Sequence, residues 1–405
     1  ITMSAMDTVT VTAGPDLFCT NQAVLIPAAS GYFPRSVAIG DLDSDGRNDV
    51  VMATWTSYTP AVDFLYVFLQ DASGGLKPPV AYQAGNGKAI AVGDLNGDGR
   101  NDLAVTLNDG VGVLYQNGSG GFDPVSPFGY GESVDVYSFH DVRIADLNND
   151  GRMDLATLYN RFDNAVVNVY YRNLDGTLKA PVKYTTDFGE WELRAGDWNN
   201  DGLADLVMFS NKRGSGGSFS YGSYVKVMLQ NADGSLEDPT DYLAVSGTFG
   251  IEAVTFAAGD VTGDARPDLA IGYLDTSVPF AATYSIGLFP QQADGSAGTP
   301  AYLPAFEGIR QLEVIDVSGD LRNDVVGYHS GNTTAVTVYR QGEQGALAAY
   351  ELYGLPFPNY NSFNHAFAVG DLNGDGFQDI AVADAIDNET GGLVVLYGNS
   401  GRGSR

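Results

Sequence analysis

The stretch GDLNGDGRND, residues 93–102, recurs along the chain and determines its predicted fold. Close copies are GDLDSDGRND at 40–49 and GDLNGDGFQD at 370–379. The pattern D-x-x-x-D-x-x-x-D occurs seven times, and its copies begin at Asp41, Asp94, Asp146, Asp197, Asp260, Asp316 and Asp371. Successive copies lie 51 to 63 residues apart. A repeat of about 50 residues indicates a solenoid, a propeller or an array rather than a set of separate domains.

Each repeat contains four short apolar segments that read as β-strands. In the second repeat, KAIAVGD leads into the acidic loop, DLAVTL follows the loop, and VGVLYQN comes after a variable segment. A last stretch, such as KAPVKYTT in the third repeat, follows a glycine-containing turn. Four antiparallel strands repeated around an axis make a propeller blade. The sequence therefore predicts an all-β protein, a seven-bladed β-propeller with four-stranded blades.

The two ends of the chain predict how the propeller closes. After Asp379 only IAVADA and GLVVLYGN remain, so the last blade lacks its outer strand. A spare stretch, QAVLIPAAS, precedes the first repeat at the outer-strand position. We expect this N-terminal strand to complete the last blade, because pairing removes an exposed strand edge. The predicted divisions are an extension over 1–22, the propeller over 23–398 and a tail over 399–405.

The acidic loop has the chemistry of a calcium site. Side-chain oxygens fall at positions 1, 3, 5 and 9 of DLNGDGRND, and glycine at position 6 permits a sharp turn. Ca²⁺ takes about six to eight oxygen ligands, and a backbone carbonyl, counted here at position 7, and water can supply the remainder. An EF-hand would place Glu at position 12, where this chain has residues such as Met52 and Val105. The pattern therefore predicts a calcium loop within a β-hairpin, which ties the first two strands of each blade.

Five copies fit this pattern in full and two depart from it. The five predicted calcium sites consist of Asp41, Asp43, Asp45, Arg47 and Asp49; Asp94, Asn96, Asp98, Arg100 and Asp102; Asp146, Asn148, Asp150, Arg152 and Asp154; Asp197, Asn199, Asp201, Leu203 and Asp205; and Asp371, Asn373, Asp375, Phe377 and Asp379. The two departing copies, for which we expect weaker or absent metal, consist of Asp260, Thr262, Asp264 and Asp268; and Asp316, Ser318, Asp320 and Asp324. The alternative is that these side chains only make turn hydrogen bonds.

The repeats resemble a known family. The motif D-x-[DN]-x-D-G-x-x-D at this spacing is similar to the FG-GAP/VCBS repeats of the integrin α-subunit head and of fungal calcium-binding propeller lectins, over about 23–398. The resemblance implies a seven-bladed calcium-binding propeller. It does not identify a ligand, because one propeller fold hosts many functions.

Composition restricts the partners and the compartment. The net charge of −29 argues against a nucleic-acid partner, which requires clustered Lys and Arg. No apolar run reaches the ~20 residues of a membrane span, so membrane insertion is not expected. Cys19 is the single cysteine and can form no internal disulfide. Loops of this kind suit millimolar calcium, as found outside cells, which predicts a secreted or cell-surface protein.

Strand parity predicts which end of the propeller is available for a ligand. The calcium loops and the turns between third and fourth strands lie at one end, so the variable loops lie at the other, where binding usually resides. Trp55 and Tyr58 lie in TWTSYTPAVDF, and Trp191 lies in DFGEWELR. Aromatic rings among polar side chains suit sugar binding by stacking. The alternative is that these rings cover the hydrophobic core between blades.

A second candidate site follows from aligning the innermost strands. The residue six before the first loop Asp is, in order, Arg35, Lys88, His140, Trp191, Val254, Arg310 and His365. Five of the seven are basic or imidazole side chains, and we expect them near the mouth of the central channel. They are candidates for binding an anionic ligand. The alternative is a solvated polar ring that pairs with local acids such as Asp141.

No catalytic pattern stands out. The chain lacks a nucleophile motif or a zinc motif, and its three histidines fall in different blades. We therefore expect a calcium-binding binding or adhesion module rather than an enzyme, with glycan on a cell surface or in matrix as its ligand. The alternatives are a protein-binding adhesion module and a propeller of the polysaccharide-lyase type, which the ring of basic residues keeps open.

Overall fold

The short apolar runs of each repeat form β-strands, as the sequence predicts. The computed structural model describes residues 17–25, 32–56, 63–85, 87–107, 110–128, 136–161, 164–187, 189–212, 222–246, 251–277, 282–331, 333–355, 366–385 and 391–398. Within these residues the structure contains 28 strands and no helix. The predicted all-β class is therefore confirmed.

The strands divide into seven groups of four. Those of blades 1 to 4 are β2 (Tyr32–Gly40), β3 (Asp49–Thr56), β4 (Phe64–Phe68) and β5 (Val80–Gln83); β6 (Ile90–Gly93), β7 (Asp102–Thr106), β8 (Val111–Leu114) and β9 (Ser126–Phe128); β10 (Val136–Ala145), β11 (Asp154–Arg161), β12 (Asn164–Tyr170) and β13 (Val182–Asp187); and β14 (Glu190–Gly196), β15 (Asp205–Lys212), β16 (Gly222–Met228) and β17 (Thr240–Ser246). Those of blades 5 to 7 are β18 (Ile251–Gly259), β19 (Asp268–Asp275), β20 (Thr283–Phe289) and β21 (Ala301–Pro304); β22 (Ile309–Ile315), β23 (Asp324–His329), β24 (Ala335–Tyr339) and β25 (Glu351–Gly354); and β26 (Phe367–Gly370), β27 (Asp379–Ala385) and β28 (Gly391–Gly398) with β1 (Phe18–Leu25).

Each group forms one antiparallel sheet in which neighbours along the chain pair with each other. The last sheet differs, because its strand order is β1-β28-β27-β26. Strand β1 pairs with β28 from Phe18 opposite Gly398 to Leu25 opposite Gly392. The N-terminal strand thus completes the last blade, and the predicted closure is confirmed.

Strand β1 begins at Phe18, five residues before the predicted start of the propeller at 23. Leu17 and Phe18 are both buried. The Phe18 ring packs edge-to-face on Tyr353 of blade 6, with the ring centroids 5.0 Å apart. This apolar contact extends the folded unit into the segment predicted as an extension, 1–22.

The blades pack through both faces of their middle strands. In β3, Val50 and Met52 pack against blade 7, whereas Val51 and Ala53 pack against blade 2. Among the described residues, every one of the seven blade-to-blade interfaces has its own buried apolar cluster, including the interface of blades 7 and 1. Because both faces are buried, these strands read as continuous apolar runs instead of alternating ones. The seven sheets therefore form a closed β-propeller.

The acidic loops lie at one end of the blades. Each joins the first strand of a blade to the second, as where Gly93 pairs with Asp102 in blade 2. The turn between the third and fourth strands of the following blade lies against the same loop, since a Cβ on Gly176 would meet the Asn96 carbonyl at 2.4 Å. We call this end, formed by the seven loops and these turns, the loop face. The opposite end is the free face.

A β-bulge interrupts five of the innermost strands. The pairing with the second strand shifts at Pro34/Ser36, Phe139/Asp141, Glu190/Glu192, Ala253/Thr255 and Ile309/Gln311. The skipped residue is in each case six before the first loop Asp: Arg35, His140, Trp191, Val254 and Arg310. A bulge re-aims the side chain of its extra residue. The position six residues before the first loop Asp, which the sequence singles out, is thus a bulge position in five blades.

Candidate functional site

All seven acidic loops share one backbone conformation. Positions 4 and 6 have positive φ throughout, from Asn149 with φ 56 to Gly202 with φ 88. Glycine occupies position 6 in five loops, but Ala265 (φ 67) and Leu321 (φ 68) adopt the same left-handed conformation in blades 5 and 6. A non-glycine residue there costs roughly 1–2 kcal/mol. The two departing loops therefore keep the shape of the others at a cost in strain.

The carboxylate at position 1 organises the loop from inside. Asp41 accepts hydrogen bonds from the backbone N–H groups of Asp45 at 3.1 Å and Gly46 at 2.9 Å. The same two bonds recur in the loop of blade 4, where Asp197 accepts from Asp201 and Gly202. The turn hydrogen bonds of the alternative interpretation are therefore present. They leave lone pairs available, because a carboxylate offers about four acceptor positions.

The carboxylate at position 9 is buried and pins the blade together. Asp49 accepts hydrogen bonds from the backbone N–H groups of Leu42 at 2.8 Å and of Gln70, which follows the third strand, at 2.7 Å. Equivalent pairs of bonds are made by Asp102, Asp154, Asp205, Asp268, Asp324 and Asp379. Burial raises the pKa of Asp49 to about 6 and that of Asp379 to about 7. Burial thus opposes the ionised form of this carboxylate, and a nearby positive charge would favour it.

In blade 1, position 3 supplies an oxygen that the loop itself does not use. In blade 1 the Oδ1 atom of Asp43 is buried and has no hydrogen-bond partner among the described residues. Oxygens of Asp41, Asp43 and Asp49 lie within 4.8 Å of one another. Burial, and next the charge of Asp45, raise the pKa of Asp43. This donor set, three convergent carboxylates with one orphaned oxygen, fits a hard divalent cation.

Position 5 pairs with position 7 in five loops. The guanidinium of Arg47 donates to the Asp45 carboxylate. The same pairing joins Arg100 to Asp98, Arg152 to Asp150, Arg266 to Asp264 and Arg322 to Asp320. Leu203 and Phe377 hold position 7 in blades 4 and 7 and cannot form it. The position 5 carboxylate is therefore shared with an arginine in some loops and not in others.

The loops are also linked from blade to blade. Asn48 at position 8 donates to the Asp371 carbonyl of blade 7 at 3.2 Å, and Asn101 donates to the Asp41 carbonyl of blade 1 at 3.1 Å. In blades 3, 4 and 5, where position 8 is Met, Ala or Pro, the residue after the third strand reaches the preceding loop instead. Those contacts are Arg172 to Asp94 at 3.2 Å, Gln230 to Asp146 at 2.9 Å and Gln291 to Trp198 at 3.0 Å. Sequence reasoning missed this link, although the recurrent Gln after the third strand was a signal for it.

The aromatic candidates of the free face are only partly described. Trp55 lies near the end of β3, is half-buried, and its ring lies 5.6 Å from that of Phe33 on the neighbouring strand. Tyr58 lies outside the described residues, and for Trp191 only the backbone position in β14 is described. Trp198, expected in the core, is 4% exposed and packs edge-to-face on Tyr242.

The basic candidates lie around the inner strands but not as one cluster. Arg35 and Lys88 of blades 1 and 2 are close enough to interact: burial, and next the charge of Arg35, lower the pKa of Lys88 to about 8. Arg310 donates to the Ser330 hydroxyl at 3.3 Å, and His140 is half-buried. His365 lies outside the described residues. The structure therefore brings together one pair of the five basic candidates.

Comparison with known proteins agrees with this architecture. Residues 41–105, 94–157 and 316–382 match the model of the FG-GAP-like repeat. The chain is a seven-bladed β-propeller that carries FG-GAP-like repeats. No curated protein sequence shows significant similarity to it. In the part of the chain that the structure describes, no helix has the length and apolarity that a membrane crossing requires.

Several solved propeller structures are similar in fold. A lectin from Agrocybe aegerita, described as recognising non-reducing terminal N-acetylglucosamine, is 18% identical with a TM-score of 0.53, and the match covers 81% of each chain. BBS1N in complex with ARL6DN is 12% identical with a TM-score of 0.55 over 98% of each chain. The WD40 domain of Toxoplasma gondii coronin is 12% identical with a TM-score of 0.52, over 96% of this chain and 88% of that one. These identities support the fold alone.

Proposed function

We propose that the protein is a calcium-stabilised binding module, secreted or displayed on a cell surface, that recognises glycans without catalysing a reaction. The observation that carries the calcium part is the buried Asp43 Oδ1, which lacks a hydrogen-bond partner among the described residues. It faces the carboxylates of Asp41 and Asp49 within 4.8 Å. Carboxylates this close repel one another unless a cation neutralises them.

The chain's own residues would hold the ion in a prepared loop. Asp41 keeps the turn closed through Asp45 and Gly46, and Asp49 fixes the end of the loop to the third strand. When bound, Ca²⁺ supplies the positive charge that lets buried carboxylates stay ionised. We propose five to seven such sites, the two loops with Ala265 and Leu321 being the weaker ones. Sites of this kind suit extracellular calcium concentrations.

The glycan part rests on the half-buried Trp55 beside Phe33. Two adjacent rings near the free face, tilted by 36° to each other, offer aromatic surface that suits stacking against a sugar ring. The lectin of Agrocybe aegerita has this fold and a sugar ligand, which supports the same class of ligand here without naming the sugar. A protein-binding adhesion module is the alternative that uses the same face.

One observation favours an acidic ligand as a second candidate. Arg35 and Lys88 are partly buried neighbours of like charge, and burial lowers the pKa of Arg35 to about 10 although the charge of Asp63 raises it. An anionic group bound between them would stabilise both positive charges and so offset the cost of burying them. Acidic polysaccharide is therefore the second ligand class, and a lyase-type reaction on it is the enzymatic alternative.

Calcium content tests the first half of the proposal. Elemental analysis of dialysed protein should give five to seven calcium ions per chain, and chelation should lower the melting temperature, since a ligand of the native state stabilises it. Asp43→Ala should lose one ion. Asp275→Ala, at the free-face end of strand β19 and remote from every acidic loop, is the control and should lose none. Two or fewer ions in the parent protein would contradict the proposal.

A glycan array in calcium tests the second half. Trp55→Ala should abolish glycan binding while leaving the calcium content unchanged. Trp198→Ala is the contrasting variant, because truncating a core Trp costs ~3–5 kcal/mol of stability. Binding of a protein ligand with no glycan hit would favour the adhesion alternative. Release of unsaturated sugar from acidic polysaccharide would reveal the lyase.

A further inference from the structure

A cavity of about 320 Å³ lies among the innermost strands, and neither Trp55 nor a loop Asp lines it. Its polar wall contains Arg143 of blade 3, Arg194 of blade 4, and Glu313 of blade 6 with Gln311, which donates to the Glu313 carboxylate at 3.0 Å. Its apolar wall includes Ala38 of blade 1 and Ala368 of blade 7. The cavity therefore offers two guanidinium groups and one carboxylate on one side and an aliphatic surface on the other.

The sequence explains why this space exists. Arg143, Arg194 and Glu313 each stand three residues before the first loop Asp. The other four blades have alanine at that position, namely Ala38, Ala91, Ala257 and Ala368. Long side chains from three blades therefore line the cavity together with the methyl groups of Ala38 and Ala368. The repeat thus leaves room for a ligand of limited size between them.

The two arginines differ in how well they are bonded. Arg143 is well bonded: Nη1 lies 2.7 Å from the Asp141 carboxylate and donates to the Val142 carbonyl at 2.8 Å, and Nη2 donates to Asp141 at 3.0 Å. Arg194 has longer contacts, 3.4 Å to the Glu313 carboxylate and 3.6 Å to the Glu192 carboxylate. Charge-assisted hydrogen bonds of arginine are normally about 2.7–2.9 Å.

Arg194 is moreover almost enclosed. Its side chain is 13% exposed, and its Nε atom has no hydrogen-bond partner among the described residues. Its remaining contacts are a 3.4 Å hydrogen bond to the Leu193 carbonyl and the face of the Phe256 ring, whose centroid lies 5.5 Å from Cζ; neither supplies a close acceptor. A guanidinium withdrawn from water needs close acceptors, since unmet donors are costly. The cavity beside it is where a further acceptor fits.

We propose that this cavity binds a small organic carboxylate that also carries a hydrogen-bond donor. The ligand's carboxylate would accept from Arg194 and Arg143, because a planar guanidinium matches a carboxylate in a two-point contact. Its donor, a hydroxyl or ammonium group, faces Glu313, which is 34% exposed. Its aliphatic part lies against Ala38 and Ala368.

The local charge disfavours a ligand with more than one negative charge and favours one whose donor carries a positive charge. Asp141, Glu192 and Glu313 already oppose the two arginines, so a dianion such as phosphate would meet repulsion. The same chemistry has two sources, a free amino or hydroxy acid and the carboxylate of an acidic sugar. The proposal depends neither on calcium nor on Trp55, so the experiment can contradict it without contradicting the proposed glycan site.

Titration of the full chain with L-serine and with glucuronate, at constant ionic strength and with glucose as the neutral comparison, tests the proposal. At least one carboxylate should bind saturably in the millimolar range or tighter, and glucose should not. Serine binding alone identifies a free amino acid as the source, glucuronate binding alone an acidic sugar, and binding of both supports the shared chemistry. If neither carboxylate binds saturably, the proposal is wrong.

Two variants locate the site. Ala368→Leu fills the cavity without altering a charge and should weaken binding at least tenfold, whereas Ala301→Leu, the same change on the exposed outer strand β21, should leave binding unchanged. Arg194→Lys keeps the charge but loses the planar fork, and should also weaken binding at least tenfold. Trp55→Ala should have no effect. Unaltered binding in Ala368→Leu would place the carboxylate elsewhere and overturn the assignment.

Discussion

The carboxylate of Asp141 in blade 3 accepts a 2.7 Å hydrogen bond from the backbone N–H of Leu193 in blade 4. Leu193 lies just beyond the bulge of β14, on the innermost strand, which has no further strand to pair with. The same arrangement recurs between blades 6 and 7, where Gln311 accepts from the Phe367 N–H at 3.1 Å and donates to the Phe367 carbonyl at 3.0 Å. Side chains five residues before the loop thus cap the inner edge of the next blade.

Loss of this cap should destabilise the propeller. Asp141→Ala leaves the Leu193 N–H and the Arg143 guanidinium without their buried partner, so we expect a loss of about 3 kcal/mol in the free energy of unfolding. Asp141→Asn keeps an acceptor for Leu193 and should lose distinctly less. Urea denaturation of both variants measures the difference. Equal stability of the two would show that the interblade hydrogen bond contributes nothing.

Much of this architecture could be predicted from the spacing of the acidic loops. The blade number, the closing strand and the loop positions follow from a repeat that must bury both faces of its strands. The bulge at Arg35, His140 and Arg310 could not be predicted, because alternation of apolar residues does not reveal an extra unpaired residue. The cap made by Asp141 depends on a contact between blades 52 residues apart in sequence, which no local pattern encodes.

Strain at position 6 of the acidic loops gives a second prediction. Leu321 is 95% exposed and has φ 68, so its side chain makes little contact that would offset the strain. Leu321→Gly should raise the free energy of unfolding by about 1 kcal/mol. Gly376→Ala in blade 7 is the reverse change, at φ 86 with no atom within 4 Å of the added Cβ, and should lower it by a similar amount. Thermal unfolding in excess calcium measures both, and a shift of the same sign in the two variants would contradict the strain argument.

The buried His329 should make the protein sensitive to acid. Burial lowers the pKa of His329 to about 4, and its Nε2 lies 2.8 Å from the Thr337 hydroxyl. Because the folded pKa lies below the unfolded value of about 6.5, the folded state prefers the neutral ring. His329 therefore contributes fully to the free energy of unfolding above pH 6.5. This contribution, about 3 kcal/mol, is lost as the pH falls from 6.5 through 4.

Substitution of His329 separates its effect on the pH dependence of stability from that of the carboxylates in the acidic loops. His329→Gln should flatten the decline in stability between pH 6.5 and 4 relative to the parent protein, as measured by urea denaturation at several pH values. Thr337→Val removes the hydroxyl partner but keeps the imidazole, so its decline should stay steep. An equally steep decline in His329→Gln would mean that other groups cause the acid sensitivity.

Arg172 should tune the calcium affinity of the loop in blade 2. It stands after the third strand of blade 3, where blades 1, 2, 4, 5 and 6 have Gln, and its Nη1 lies 3.8 Å from the Asp94 carboxylate. A positive charge this close to the proposed calcium site would oppose the ion, by about 1 kcal/mol at an effective surface dielectric after screening. Arg172→Gln should therefore tighten calcium binding at residues 93–102 about fivefold. Hydrogen–deuterium exchange of that loop across a calcium titration measures the midpoint locally.

Arg172→Lys is the control, because it keeps the charge and should leave the midpoint close to that of the parent protein. If the Gln variant binds calcium no more tightly than the Lys variant, the arginine acts through its hydrogen bond to the Asp94 carbonyl and not through its charge.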